Sequence, residues 1–281
     1  MLVNAITKPL HAPTKADLES SSSTELRTYY ADSLSVNSNL STPSVPPTIP
    51  KVFEDTIAIT GERMAIMAIS PYQGVLQNFL VGLVNAKRIL EIGSFTGSSA
   101  IFFANALKRN GVKATANATT DKKPVVGLDI SEEYAEIARK NFANAGVEDY
   151  IEIVVGDARE NLAKLEGQQF DVVFLDADKL SYKQYYDTVL EKNILSENGI
   201  IIADNTAFDF VTPFINIPAP VADDAEPLNM PFGDRQLCQD LGKGIHEFNE
   251  YIRKDPRCEA VMLPIITGIT LIRRINSANN N

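Results

Sequence analysis

Histidine is nearly absent from this chain: the two copies are His11, in a polar leader, and His246, inside the helical pattern "RQLCQDLGKGIHEFNEYIRK". A histidine base beside a nucleophile, or a cage of histidines around a metal, is hard to assemble from that pair. Carboxylates, lysine or backbone must carry any chemistry. Cysteine is equally scarce, and Cys238 and Cys258 are too few for a disulfide framework and match no zinc-ligand spacing. Two reduced thiols are expected. Positive charge is in deficit, with 26 Lys and Arg against 36 Asp and Glu and a net charge of -10, so the basic footprint needed on a nucleic-acid backbone is missing. Nucleic acid is disfavoured as a partner. No apolar run reaches the roughly eighteen residues of a membrane span, and the N-terminal "MLVNAITKPLHAPTKADLES" lacks a basic segment followed by an apolar core. A cytoplasmic protein without a membrane segment is expected.

What is present is a chain of 281 residues, 44% hydrophobic, enough for one sizeable core. Residues 1–50 are rich in Ser, Thr, Pro and Asn and read as an arm in which "TELRTYYADSL" could form a short helix. Residues 51–276 read as the folded domain and 277–281 as a polar tail. The segment "SPYQGVLQNFLVGLVNA" predicts a helix with Ser70 as N-cap, Pro71 at its first position, and Val75, Phe79, Leu80 and Leu83 on one face.

From Lys87 onward, apolar runs alternate with helical patterns. The runs lie at 88–93, 125–130, 151–157, 171–177, 199–205, 259–265 and 268–275. Between the second and third lies "SEEYAEIARKNFANAG", with Ser131 as N-cap, acids in the first turn and Gly146 as its stop. Near-continuous apolar strands joined by helices predict an α/β fold, a seven-stranded, mostly parallel sheet with helices on both faces. Two residues separate the last two runs, too few for a crossover, so the last strand should be antiparallel. Inserts interrupt the pattern at 108–124 and 205–234.

The stretch "RILEIGSFTGSSAIFFANAL" is a strand, a glycine turn and a helix. Gly93 and Gly97 are four residues apart with no third glycine in place, which fails the nicotinamide fingerprint and disfavours an oxidoreductase. Glu91 near the strand's end would repel phosphates but suits an ammonium group. Asp129 closes the next run, where open parallel sheets hold ribose hydroxyls, and Asp157 closes the one after. Either aspartate could instead cap a helix. Three successive strands ending in acids favour a nucleoside ligand that carries an ammonium and no pyrophosphate, the chemistry of S-adenosylmethionine.

The segments "LEIGSFTGSSA", "GLDISEEYAEIARKNFANAGV", "FDVVFLDADKLSYKQYYD", "NGIIIADN" and "DPRCEAVMLPIITGITLIRRI" resemble the cation-dependent small-molecule O-methyltransferases, the group of caffeoyl-CoA and catechol O-methyltransferases. The likeness runs from about Phe53 to Ile275. It implies a Rossmann-like class I methyltransferase domain, a homodimer, and methylation of one hydroxyl of a vicinal diol on a small aromatic substrate with the help of a divalent cation. By that likeness Glu91, Gly93, Ser99, Asp129 and Ala158 would contact S-adenosylmethionine, with Asp178 near its methionine end. Asp176, Asp204 and Asn205 would bind the metal, and Lys179 would be the catalytic base. Two carboxylates and an amide oxygen suit a hard cation such as magnesium. A phenol ionises only near pH 10, as tyrosine does; chelation of two adjacent hydroxyls by a dication lowers that value, and a nearby lysine can take the proton. The alternative for "ADN" is a turn in which the side chains bond their own backbone, and the alternative for Lys179 is a solvated helix-start residue.

The chain also departs from the group. "DNTAFDF" stands where caffeoyl-CoA enzymes carry a "DNTLWNG"-like sequence, so Asp209 replaces an Asn and Phe208 a Trp. From Asp204 to Asp234 there is no Lys or Arg, while Asp209, Asp223, Asp224 and Glu226 are acidic. Such a segment would repel the phosphates of coenzyme A, and Phe208, Phe210, Phe214 and Phe232 could wall a pocket for a small ring. A free catechol-type phenol is the expected substrate, with a hydroxycinnamoyl-CoA ester as the alternative. From a different class, a non-catalytic S-adenosylmethionine-binding scaffold would have little use for both Asp176 and the Asp204–Asn205 pair.

Overall fold

The computed structural model describes residues 45–114, 123–207 and 235–275. The helix expected in "TELRTYYADSL", part of the first insert and the acidic, Phe-bearing segment from Phe208 to Asp234 lie outside the described residues. Seven strands form one sheet in the order β3-β2-β1-β4-β5-β7-β6. They are β1 (Ile89–Ile92), β2 (Val125–Asp129), β3 (Ile151–Val155), β4 (Phe170–Leu175), β5 (Leu195–Asp204), β6 (Cys258–Leu263) and β7 (Ile269–Arg274). The β2/β3 and β4/β5 pairs are parallel, and β7 runs antiparallel to both β5 and β6. With helices around it, this is the expected mostly parallel sheet with an antiparallel last strand. The strand order turns about between β1 and β4, the kind of switch point at which open α/β sheets bind ligands.

Among the described residues, one compact unit runs up to Ile89 and from Ser94 to Val155; the other holds Leu90–Gly93 and everything from Gly156 on. The first contains α1 (Ile49–Thr60), α2 (Glu62–Ala65), α3 (Pro71–Leu83), α4 (Ser98–Arg109) and α5 (Glu132–Asn144). The caps are as expected: the Ser70 hydroxyl accepts the Gln73 N–H at 3.2 Å, and Ser131 accepts that of Tyr134 at 3.2 Å. Gly146, at φ +61, ends the turn after α5.

The apolar face predicted for α3 is not the one that the helix buries. Leu80 is buried, but Phe79 and Leu83 are 58% and 70% exposed, and the inward stripe is Gln73, Gly74, Gln77, Asn78, Leu80 and Val81. The reason is a close approach: Gly74 lies against the Phe102 ring of α4, where a Cβ would overlap the ring. That contact rotates the glycine side inward and carries Phe79 and Leu83 outward.

The second unit contains α6 (Ala158–Ala163), a 3₁₀ turn (Lys179–Ser181), α7 (Tyr182–Glu191) and α8 (Arg235–Lys254) with β4 to β7. Val172, Val173, Phe174 and Leu175 are at most 1% exposed. Burial of each such side chain contributes about 1.5–3 kcal/mol, which holds the end of β4 rigidly. The β6–β7 connection is longer than predicted, spanning residues 264–268. Pro264 has no N–H for the ladder, and Ile266 and Gly268 take positive φ of 57° and 84°, so neither run extends as far as its apolar composition suggested.

Candidate active site

The parallel register pairs Leu175 of β4 with Ala203 of β5, so Asp176 and Asp204 leave the ladder side by side. The Asp176 N–H donates to the carbonyl of Ile92 at 2.9 Å, which ties the end of β4 to the end of β1. Gly93 follows at φ +95, and a Cβ there would overlap the Asp176 carbonyl oxygen. This glycine serves a close approach of backbone to backbone.

The Asp176 carboxylate accepts from Lys179 Nζ at 2.7 Å, and both side chains are 15% exposed. Burial pushes the Asp176 carboxyl up from its usual range, against the opposing pull of Lys179. Lys179 Nζ also donates to the Tyr182 hydroxyl at 2.8 Å. That hydroxyl in turn lies 3.0 Å from the carbonyl of Leu175 and 3.1 Å from that of Asp204, to which it donates. Tyr182 is wholly buried, edge-on to Phe248, and burial together with Asp176 and Asp204 drives its phenol well above the usual range. One neutral hydroxyl therefore joins Lys179 to the ends of β4 and β5. The sequence reading missed Tyr182; the only local signal was its place three residues after Lys179, one helical turn on.

Asp204 is 3% exposed, and its Oδ1 accepts the Asn205 N–H at 2.7 Å. Asn205 is left-handed, at φ +56, a conformation that Asn tolerates better than most residues. Its Nδ2 donates to Thr267 Oγ1 at 2.8 Å, and the backbone that follows is pinned by Thr206 N–H to Gly268 O and Ala207 N–H to Thr267 O, both 3.0 Å. Asp178 caps the 3₁₀ turn, accepting the Leu180 N–H at 3.2 Å and the Ser181 hydroxyl at 2.6 Å. Asp157 caps α6 through the Arg159 N–H at 2.8 Å and is gripped by the Arg159 guanidinium, which holds its carboxyl below the usual range. Ala158 is the first residue of that helix. Glu91 is fully buried within β1.

In the first unit, Asp129 accepts backbone N–H groups on both oxygens: Ser94 at 3.1 Å and Phe95 at 2.7 Å on Oδ2, and Ser131 at 2.8 Å on Oδ1. It fastens the glycine turn to the end of β2, and a carboxylate with about four lone-pair sites still has room for another donor. Gly97 is left-handed, at φ +84, and opens α4, whose first turn holds the buried Ser99. The structure thus brings Asp176, Lys179 and Asp204 together around Tyr182, with Gly93 against the Asp176 backbone and Asn205 following Asp204, while Asp129 and Ser99 belong to the first unit.

Comparison with known proteins gives this arrangement its setting. Residues 46–275 match the model of the O-methyltransferase family. Caffeoyl-CoA O-methyltransferase 1 of Eucalyptus globulus is 33% identical over 238 residues, covering 83% of this chain and 85% of its own. Tricin synthase 2 of Oryza sativa subsp. japonica is 33% identical over 224 residues, with coverage of 77% and 67%. Among solved structures, the SAH-bound methyltransferase PaMTH1 of Podospora anserina superposes with a TM-score of 0.73 at 27% identity, covering 95% of this chain and 99% of the other. The match over nearly the whole described chain and the fold agree: the chain belongs to the O-methyltransferase family.

Proposed function

We propose that the chain methylates a phenolic hydroxyl of a small vicinal-diol (catechol-type) aromatic, with S-adenosylmethionine as methyl donor and a divalent cation held by Asp176, Asp204 and Asn205. The observation that carries this reading is the pair of adjacent strand ends that delivers Asp176 and Asp204 side by side, with Lys179 against the first of them. The donor set fits a hard dication. Asp176 is a desolvated carboxylate already matched to a cation, Asp204 is buried beside it in register, and Asn205 commits its amide N–H to Thr267, which leaves the amide oxygen. Among the described residues no group of three or more His, Cys, Asp or Glu could hold a metal ion, so the reading depends on Asn205 as the third ligand. When bound, magnesium would lower the pKa of a chelated phenol.

Each residue then has a task. Lys179, in its neutral form, would take the phenolic proton at Nζ, and the Tyr182 hydroxyl is its second hydrogen-bond partner beside Asp176. By the family likeness Glu91, Gly93, Ser99, Asp129 and Ala158 would bind the methyl donor, and Asp178 would lie toward its methionine end. The substrate oxygen then takes the methyl group as that group's bond to the sulfonium sulfur breaks, leaving neutral S-adenosylhomocysteine, and the protein contributes mainly positioning. A homodimer and a cytoplasmic location belong to the same reading, and no helix among the described residues is long and apolar enough to cross a membrane.

The test is methyl transfer to a panel of catechols, with and without chelator. Product that disappears on chelation and in Asp176→Ala is expected; turnover indifferent to both would overturn the metal reading. No methyl transfer to any diol would leave a binding or scaffold role. The relatives named for caffeoyl-CoA favour a second substrate class. Against it stands the acidic segment 204–234, which has no Lys or Arg to meet coenzyme A phosphates. Free caffeic acid should therefore be turned over faster than caffeoyl-CoA, and equal rates would count against the free phenol.

A further inference from the structure

The amide of Asn205 poses a problem that the two aspartates do not. A carboxylate offers a cation an oxygen whichever way it rotates, whereas a carboxamide turned over presents an NH₂ group that repels it. Something must fix the orientation. In this structure the Asn205 Nδ2 donates to Thr267 Oγ1 at 2.8 Å, across 62 residues of sequence. The threonine is held in place by three independent restraints. Its carbonyl accepts the Ala207 N–H at 3.0 Å, and the carbonyl of the next residue, Gly268, accepts that of Thr206 at 3.0 Å. The Thr206 and Thr270 hydroxyls meet at 2.8 Å in the buried layer beneath. Gly268 lies so close to Ala207 that a Cβ would overlap its backbone nitrogen. The residue before Thr267 is Ile266 at φ +57, a β-branched residue in a region such residues avoid, held there by the short turn.

We propose that Thr267 is a positioning residue for the metal site: its hydroxyl accepts the Asn205 amide N–H and so turns the amide oxygen toward the cation held with Asp176 and Asp204. This rests on the metal reading above and goes beyond it, because the β6–β7 turn becomes part of the site without touching the metal. Outer groups that orient metal ligands alter affinity by about 10- to 100-fold when removed.

The experiment measures binding of manganese alone to the full-length chain, by electron paramagnetic resonance of the free ion, without substrate. Wild type should bind the ion, and Asp176→Ala should lose it. Thr267→Val, which keeps the shape and removes the hydroxyl, should weaken binding at least about tenfold, and Thr267→Ser should restore it to within about twofold. In an Asn205→Asp background the same Thr267→Val change should have no effect, because a carboxylate needs no orienting partner. Should Thr267→Val fail to fold by circular dichroism, Thr267→Ala is compared with Thr267→Ser in the same two backgrounds. Loss of binding that is equal in both backgrounds, or wild-type affinity without the hydroxyl, overturns the role of Thr267 and leaves the metal reading standing. Failure of the wild type to bind manganese at all overturns the metal reading itself, and the Thr267 role with it.

Discussion

Tyr182 is the residue on which the site's polar geometry turns. A hydroxyl has one proton, and here two backbone carbonyls compete for it, so the oxygen's lone pairs are left for Lys179. Tyr182→Phe keeps the ring and its contact with Phe248 but removes the tether. Hydrogen bonds to charged groups are worth about 1.5–3 kcal/mol, so kcat should fall roughly tenfold or more while KM for S-adenosylmethionine stays put. Steady-state kinetics on the purified variant checks this, and an unchanged kcat would remove Tyr182 from the mechanism. None of this could be read from "DADKLSYKQYY" alone. Asp176 and Lys179 stood out as charges at the end of a buried strand, but Tyr182 looks like any helical aromatic until its oxygen is seen between two strands. Thr267 was still less legible, because its partner is remote in sequence and its turn is longer than the apolar pattern suggested. Asp129 and Asp157 illustrate the opposite case: both alternatives, capping and binding, were visible in the sequence, and the structure gives Asp157 to a helix cap and Asp129 to the glycine turn.

At the scale of the elements, α3 is where local pattern and tertiary packing disagree. Strand positions were legible because buried parallel strands are apolar almost throughout, although most of the apolar runs continue a residue or two past the ladders. The start of β5 was less so: Ser196, Glu197 and Asn198 are polar, yet the strand runs from Leu195. For α3 the apolar residues misled, since its buried stripe contains Gln77 and Asn78, 0% and 2% exposed. Among the described residues, their side-chain amide atoms have no hydrogen-bond partner. Desolvating such groups unpaired costs about 1–3 kcal/mol each, whereas an apolar group of the same shape avoids the penalty. Gln77→Met should therefore raise stability by about 1–2 kcal/mol in urea denaturation, with little change in activity. A fall in the denaturation midpoint would show that the amide has a partner worth keeping.

Over the whole molecule, part of the stability that is lost at low pH comes from a network that joins α7 to the segment after α8. Arg257 donates to Asp187 at 2.7 Å and Asp255 at 2.6 Å, Lys183 reaches Asp187 at 2.9 Å, and Tyr251 donates to it at 2.8 Å. Burial raises the Asp187 carboxyl, but hydrogen bonds from Arg257, Lys183 and Tyr251 outweigh it and the net shift is downward. Asp255 is lowered chiefly by Arg257. For carboxyls held below their unfolded value of about 4, the stabilisation is complete above that pH and is lost as pH falls through the lower folded value. Arg257→Ala should cost about 1–2 kcal/mol near neutrality, because the half-exposed guanidinium is partly screened. The difference in Tm from wild type should shrink as pH falls below about 4. Thermal melts of the two proteins across that range would detect it, and a gap that stays constant with pH would assign the loss to packing.

The contact between Gly93 and the Asp176 carbonyl has a consequence for how such a chain can change over time. A side chain at position 93 would push on the backbone that carries Asp176, the proposed metal ligand, so on that reading the two positions cannot drift separately. In saturation mutagenesis selected on metal affinity alone, position 93 should tolerate substitution no better than Asp176 does. On the proposed function, a glycine that reads as belonging to the methyl donor would, by heredity, also be answerable to the metal.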